Sequence, residues 1–290
     1  MPYLYLVLSV FCTSTSSIFG SFYNAKNKCK ADPSGIYNLL QLLTVCLGWW
    51  ILFAVDFSFN ASVLFYSLGF GVSFGVCTFS VISALKTGPI TISTLFVQLS
   101  MIAVTVWGFF FWNTQLTPLV IVGLVLVVAS IVLCLLKEKS TETERKFSWK
   151  WLLFAALSFL SNASCGIIQR TQQSKFEGEY GNMMMAFAML FSVAVGVILY
   201  LKSDRRDTRS IVKTSWYYPF LSGAFNVVFN LLVMLMATTT LSPSLIYPVI
   251  SVGALAVTTL FSTLVFKEKL NKKQWVGLSL GVIAVALLSI

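Results

Sequence analysis

No charged side chain occurs between Thr87 and Leu136, and none between Thr214 and Phe266. Each stretch has room for two apolar helices of about 20 residues, the length that crosses a bilayer. The two stretches are also copies of each other. Set 154 positions apart, Pro89 meets Pro243, Thr105 meets Thr259 and Leu116 meets Leu270. Val122-Gly123-Leu124 then falls on Val276-Gly277-Leu278. A soluble domain does not carry such runs. Only 10% of the 290 residues are charged and 57% are hydrophobic, against about 25% charged in an average soluble protein. The net charge of +10 sits in short connections between apolar runs. There it orients a chain in a lipid bilayer and makes no nucleic-acid-binding face.

Apolar periodicity, broken by charge, proline or glycine, predicts ten helices. They cover residues 3–25, 34–55, 62–86, 89–112, 117–136, 149–170, 181–201, 215–238, 243–266 and 272–290. The start, MPYLYLVLSVF, has no basic region and no small-residue cleavage site, so it is expected to form the first span. Residues 1–136 form a first five-helix repeat, 137–148 a charged cytoplasmic linker, and 149–290 a second five-helix repeat. Five of the six cysteines, Cys12, Cys46, Cys77, Cys134 and Cys165, lie in apolar runs, and Cys29 lies in a connection. With no CxxC spacing and no histidine, neither a disulfide framework nor a metal site is expected, and no cofactor is called for.

The repeat extends through the earlier helices at an offset of 144. Ser14 meets Ser158, Ser17 meets Ser161, Lys26 meets Arg170 and Asn38 meets Asn182. By the third helix of each half the offset is 154, where Gly69 meets Gly223; the added residues lie in the basic loop Lys202–Lys213. The connections after helices 1, 3, 5, 7 and 9 carry 18 of the 20 Lys and Arg residues, and the even connections carry only Arg170 and Lys175. The positive-inside rule places the odd connections in the cytoplasm and both termini outside. Five helices is an odd number, so the halves are expected to face opposite ways. The expected fold is an all-α polytopic membrane protein of ten transmembrane helices in two inverted five-helix repeats.

All ten carboxylates fall in connections or at helix ends. An acid at the bilayer centre costs at least roughly 2–3 kcal/mol and persists only for function. Its absence argues against proton exchange through an embedded carboxylate. The usual parts of an intramembrane hydrolase are missing too, since there is no histidine base and no paired aspartate, which makes an enzyme the least favoured reading. What remains within the spans is neutral and polar. Ser14, Ser17 and Ser21 share one face of the first helix; Ser158, Ser161, Asn162, Cys165 and Gln169 form the matching stripe of the sixth. Asn226 and Asn230 stand four apart in the eighth helix. The fourth offers Thr91, Thr94 and Gln98; the ninth offers Ser244, Tyr247 and Ser251 beside Pro248. Small and amide residues also glue membrane helices together. An amide has more hydrogen-bonding groups to satisfy, so the amides point more strongly to a wet cavity. Pro89 and Pro243 start helices, while Pro248 is interior and is either structural or a hinge. The GxxxG spacings Gly71/Gly75 and Gly277/Gly281 suit close packing. Trp49, Trp50, Trp112, Trp149, Trp151 and Trp216 lie near predicted helix ends, as interfacial anchors do. Lys86 and Arg170 end their helices, either reaching to headgroups or meeting an anion at a cavity mouth.

Ala84-Leu85-Lys86 and the run NTQLTPLVIVGLVLVVASIVL resemble the repeat of the EamA-like branch of the drug/metabolite transporter superfamily. Phe266-Lys267-Glu268-Lys269-Leu270 followed by QWVGLSLGVIAVALL resembles that repeat's ending. Thr114 stands where the second half has Glu268. The resemblance implies a pseudo-two-fold permease whose cavity is lined by helices 1, 3, 4, 6, 8 and 9. Many relatives hold both termini in the cytoplasm, the reverse of this charge pattern. The expected function is secondary transport of a small polar or zwitterionic, amino acid-like metabolite by alternating access, without an embedded carboxylate. Asn226, Asn230, Asn162, Gln98, Tyr247 and Ser251 are expected to contact substrate, with Ser14, Ser17, Ser158 and Ser161 lining the cavity. A second reading is an importer of a choline-like quaternary ammonium in an aromatic cage built from Tyr66, Tyr247 and Phe229. A third is a non-transporting membrane scaffold or receptor. The location expected is the bacterial cell membrane, as a monomer or homodimer.

Overall fold

A computed structural model describes residues 2–27, 30, 33–87, 90–112, 117–135, 149–265 and 272–288. All secondary structure among them is helical. The helices are α1 (Pro2–Lys26), α2 (Pro33–Val55), α3 (Val63–Thr87), α4 (Ile90–Phe111), α5 (Pro118–Leu135), α6 (Trp149–Lys175), α7 (Gly181–Lys202), α8 (Thr208–Ser215), α9 (Tyr217–Ala237), α10 (Pro243–Val265) and α11 (Lys272–Leu288). Seven of them, α1, α2, α3, α6, α7, α9 and α10, contain segments long and apolar enough to cross a membrane. Their outward faces are greasy: Phe65, Phe110 and Leu264 are each more than three-quarters exposed. Such a surface is at home in lipid, where backbone groups must be satisfied within each helix.

Two elements differ from the sequence expectation, each for a physical reason. The eighth helix, α8, lies in the basic connection after α7. It is two turns long and carries exposed Arg209 and Lys213, so no apolar run announces it. Its one buried apolar side chain, Ile211, packs with Tyr23 and Ile36, which ties the connection to α1 and α2. The sixth helix runs on to Lys175, five residues past the predicted end. Gln172 and Gln173 are buried and bonded: Gln172 Nε2 donates to the Glu179 carbonyl at 2.9 Å, and Gln173 Nε2 donates to Gln172 Oε1. The helix stops where the chain turns left-handed at Glu177 (φ 51°) and Gly178 (φ 90°), and the Gly178 N–H closes back on the Gln173 carbonyl at 2.9 Å. Arg170 therefore lies more than a turn inside the helix instead of at its end.

The helices pack in a regular set of pairs. α3 packs against α6 and α7, and α9 against α1 and α2. α4 packs against α6, and α10 against α1; α2 meets α7, α4 meets α10 and α5 meets α11. Glycines permit several of these approaches. A Cβ at Gly71 would run into the Ala188 carbonyl oxygen, and Ser192 Oγ donates to the Gly71 carbonyl at 3.0 Å, so α3 and α7 touch backbone to backbone. Across α5 and α11, Ser130 Oγ donates to the Gly277 carbonyl at 2.7 Å, and a Cβ on Gly281 would fall 2.7 Å from the same Oγ. Gly71 and the Gly277/Gly281 pair are thus helix contacts. Two larger apolar clusters result. One, mainly through α4, α5, α10 and α11, includes Tyr247; the other, mainly through α2, α3 and α7, holds Trp49 and five methionines. Trp49 and Trp151 are buried against neighbouring helices, whereas Trp149 and Trp216 are exposed.

Candidate functional site

Polar side chains meet across helices in the middle of the bundle. Asn162, at the midpoint of α6, is half-buried and donates from Nδ2 to Ser100 Oγ of α4 at 2.6 Å and to the Val97 carbonyl at 3.5 Å. Ser251 of α10 is buried and donates from Oγ to the carbonyl and to Oε1 of Gln98, both at 3.1 Å. On α9, Asn230 Nδ2 donates to the carbonyl and Oδ1 of Asn226 at 2.9 and 3.0 Å. The Asn230 carbonyl in turn accepts from Gln169 Nε2 of α6 at 3.3 Å. Asn162, Gln98, Ser251, Asn226 and Asn230 all fall in the middle third of their helices. Four helices, α4, α6, α9 and α10, are thereby joined by neutral hydrogen-bonding groups.

The predicted serines divide. Ser14 and Ser158 are buried, but each hydroxyl donates within its own helix, to the Val10 carbonyl at 2.6 Å and the Ala155 carbonyl at 2.8 Å. Ser161 is buried, whereas Ser17 is exposed and donates to the Thr13 carbonyl at 3.0 Å. Tyr66 belongs to the cluster of α2, α3 and α7, edge-on to Phe176 at 6.0 Å and beneath Lys175 Nζ at 5.7 Å. Tyr247 and Phe229 belong to the other cluster. The three rings named for an aromatic cage are thus not gathered in one cluster. The side chains of Lys86, Thr91, Thr94 and Cys134, together with Cys29, Pro89, Thr114, Glu268 and the linker 137–148, lie outside the described residues.

Sequence reasoning passed over two groups. Ser100 carries the shortest bond to Asn162 and was indistinguishable from any serine in an apolar run. Gln41 of α2 donates from Nε2 to Ser222 Oγ of α9 at 3.1 Å, and Ser222 Oγ shares a 2.7 Å bond with Ser16 Oγ of α1. An amide inside an apolar run was signal enough to find Gln41, by the criterion that found Gln98.

Arg170 is the one cation in the body of α6. Its guanidinium lies 5.6 Å over the Trp112 ring, just past the end of α4, with the Tyr247 hydroxyl of α10 as its polar neighbour. Its Nη1 is buried and has no hydrogen-bond partner. No ion pair joins it to a carboxylate among the described residues; the acids that follow in the chain, Glu177 and Glu179, are exposed. An unsatisfied buried donor costs about 1–3 kcal/mol. No group of three His, Cys, Asp or Glu side chains converges to hold a metal ion among the described residues.

A helical bundle with lipid-facing aromatics, close glycine contacts and an internal seam of amides defines a multi-pass integral membrane protein. Residues 149–290 match the EamA-like transporter family. That family is one of membrane transporters of small molecules, within the drug/metabolite transporter superfamily, and the match covers the second half of the chain. Twenty-nine solved chains match in structure. One crystal structure covers 99% of this chain and 95% of its own, with a TM-score of 0.72 at 15% identity, a likeness of fold. No curated protein matches in sequence.

Proposed function

We propose that the chain is a secondary transporter that moves a small polar or zwitterionic metabolite by alternating access, with a neutral hydrogen-bonding site between two inverted repeats. The observation that carries this reading is the amide seam, which draws Gln98 and Ser100 from the first half and Asn162, Gln169, Asn230 and Ser251 from the second. Amides also bond membrane helices to one another in a scaffold, and the substitutions below separate the two readings. The packing pairs support the inverted repeat. Exchanging α1–α5 with α6, α7, α9, α10 and α11 turns α3–α6 into α9–α1, α3–α7 into α9–α2 and α4–α6 into α10–α1. The self-pairs α2–α7, α4–α10 and α5–α11 then lie along the pseudo-two-fold axis. Rocking of one repeat against the other would expose the seam to each side in turn.

The orientation in this reading keeps both termini outside the cytoplasm, since the odd connections hold 18 of 20 bases. The site test is the double substitution Asn226→Ala with Asn230→Ala, assayed for substrate counterflow in proteoliposomes. Loss of counterflow with an unchanged unfolding midpoint supports the assignment; unaltered counterflow removes α9 from the site.

A further inference from the structure

We propose that Arg170 is the anchor for the carboxylate of the transported molecule, which makes the cargo an amino acid-like zwitterion. The inference rests on the transporter reading above and names the charge of its substrate. Three observations converge on one point in the bundle. The guanidinium is held in place, its centre 5.6 Å over the Trp112 ring just past the end of α4 and beside Tyr247 in the second turn of α10. It is not used up, because Nη1 is buried with no hydrogen-bond partner. It is not neutralised, because no described carboxylate pairs with it and no acid occurs within the spans.

A guanidinium presents five N–H donors in a planar fork that matches a carboxylate in two parallel bonds. A cation–π contact with an indole holds the guanidinium without consuming an N–H. A buried donor without a partner persists when a ligand completes it. The position suits a moving cargo. Arg170 follows directly on Gln169, which bonds α9, and Tyr247 lies one helical turn from Ser251, which bonds Gln98 of α4. The anion site is therefore contiguous, along α6 and α10, with the neutral seam that would receive the rest of the molecule. The same charge works against a quaternary ammonium, which would sit among Tyr247, Trp112 and Phe229 only against the field of Arg170. An anionic lipid headgroup offers the same oxyanion chemistry, and the experiment separates the two sources.

The test uses the purified full-length protein and its thermal unfolding midpoint, which a ligand of the folded state raises by mass action. The probes are the twenty protein amino acids taken singly, the carboxamide of any that stabilises, choline, and phosphatidylglycerol against phosphatidylcholine in mixed micelles. At least one amino acid is expected to raise the midpoint, and its carboxamide to need at least about 10-fold more ligand for the same rise. Arg170→Gln is expected to abolish the rise and Arg170→Lys to keep part of it. Without ligand, Arg170→Gln is expected to melt at or above the native temperature, because an uncompensated charge has been removed.

A probe that stabilises the native protein and Arg170→Gln at equal concentration overturns the anchor. So does failure of all twenty amino acids, or stabilisation by choline. An Arg170-dependent rise with phosphatidylglycerol alone overturns it in favour of a lipid site. Counterflow in proteoliposomes reports separately on the parent reading. Counterflow that survives in Arg170→Gln leaves a transporter without this anchor; an Arg170-dependent binder that is never exchanged leaves an anchor without transport.

Discussion

Lys26 and Arg170 stand 144 positions apart, the offset that sets Ser14 on Ser158; Lys26 ends α1 while Arg170 lies five residues inside the end of α6, and they live differently. Lys26 is exposed. Its Nζ donates to the Thr214 carbonyl at 2.8 Å and to the Tyr217 hydroxyl at 3.2 Å, and lies 5.3 and 5.7 Å from the ring centres of Tyr217 and Tyr218. Arg170 is drawn into the bundle because α6 runs on to Lys175, and it keeps one N–H with no partner. One duplicated charge has become a satisfied surface tie between α1 and α9. The other is held ready and incomplete. In the proposed duplication, the side chains that meet each copy decide whether it stabilises or acts.

The largest effect separates those two charges. Arg170→Gln should lower counterflow about 30-fold or more, the rate equivalent of the roughly 2 kcal/mol lost when one side of a buried charged hydrogen bond is removed. Lys26→Gln should stay within about 3-fold, since its partners are a carbonyl and a phenol that water can serve instead. Equal losses in the two variants would erase the distinction, and a loss only in Lys26→Gln would reverse it.

Much of this asymmetry was hidden in the sequence while the frame was plain. Apolar runs announce themselves because a bilayer demands about 20 residues each, and seven of the helices among the described residues are long and apolar enough to cross one. Their ends agree with the structure to within a few residues wherever a proline or a charge cluster follows. The segment QRTQQSK reads as an exit from the membrane, and the helix continues through it only because Gln172 and Gln173 bury and bond their amides. No local pattern foretells that. Trp49 and Trp151 were read as interfacial from their position near helix ends, yet packing buries them, and burial depends on neighbours far along the chain. The seam was half legible. Asn162, Gln98 and the Asn226/Asn230 pair stand out as amides, whereas Ser100 is revealed only by its partner.

A second contrast lies in the paired interfaces α3–α7 and α9–α2. At Gly71 an added Cβ meets a backbone oxygen, that of Ala188, and also Phe191 Cβ at 2.9 Å; neither yields without moving a helix. At Gly223 the nearest atoms are Thr44 Cβ at 2.8 Å and the Gln41 carbonyl at 3.0 Å. Gly71→Ala should destabilise by about 1–3 kcal/mol, as overpacking of a close contact does, and Gly223→Ala by less. Denaturant unfolding of both variants in one detergent orders them. A larger loss at Gly223 would show that α9–α2 is the tighter of the pair.

The interfaces α4–α6 and α10–α1 differ in kind. The first is bridged by Asn162 and Ser100, while in the second Gly253 admits the Val10 side chain. A double-mutant cycle on Asn162→Ala and Ser100→Ala should give a coupling of about 0.6 kcal/mol, with roughly 1.7 kcal/mol as the ceiling for hydrogen bonds between membrane helices. A larger coupling would move this bond from the substrate seam to the frame. A coupling near zero would mean that the two side chains face substrate or water more than each other.

The smallest effect belongs to a charge satisfied entirely at the surface. Asp204, in the connection before α8, accepts from Arg206 Nε and Nη2, and this pairing holds its carboxyl below the ordinary carboxylate range. A carboxylate whose folded value is lowered stabilises above its unfolded value, and the contribution fades as pH falls through the folded one. Any effect of Asp204→Asn is therefore fully present above the ordinary carboxylate range, at mildly acidic as at neutral pH, and disappears only as pH falls through the lowered folded value. Both groups are fully open to water, so screening leaves the unfolding midpoint unchanged within error at pH 7 and counterflow unaltered. A measurable drop at pH 7 would mean that the connection between α7 and α8 bears on the bundle. Local pairing would then no longer explain why Arg206 is silent while Arg170 is not.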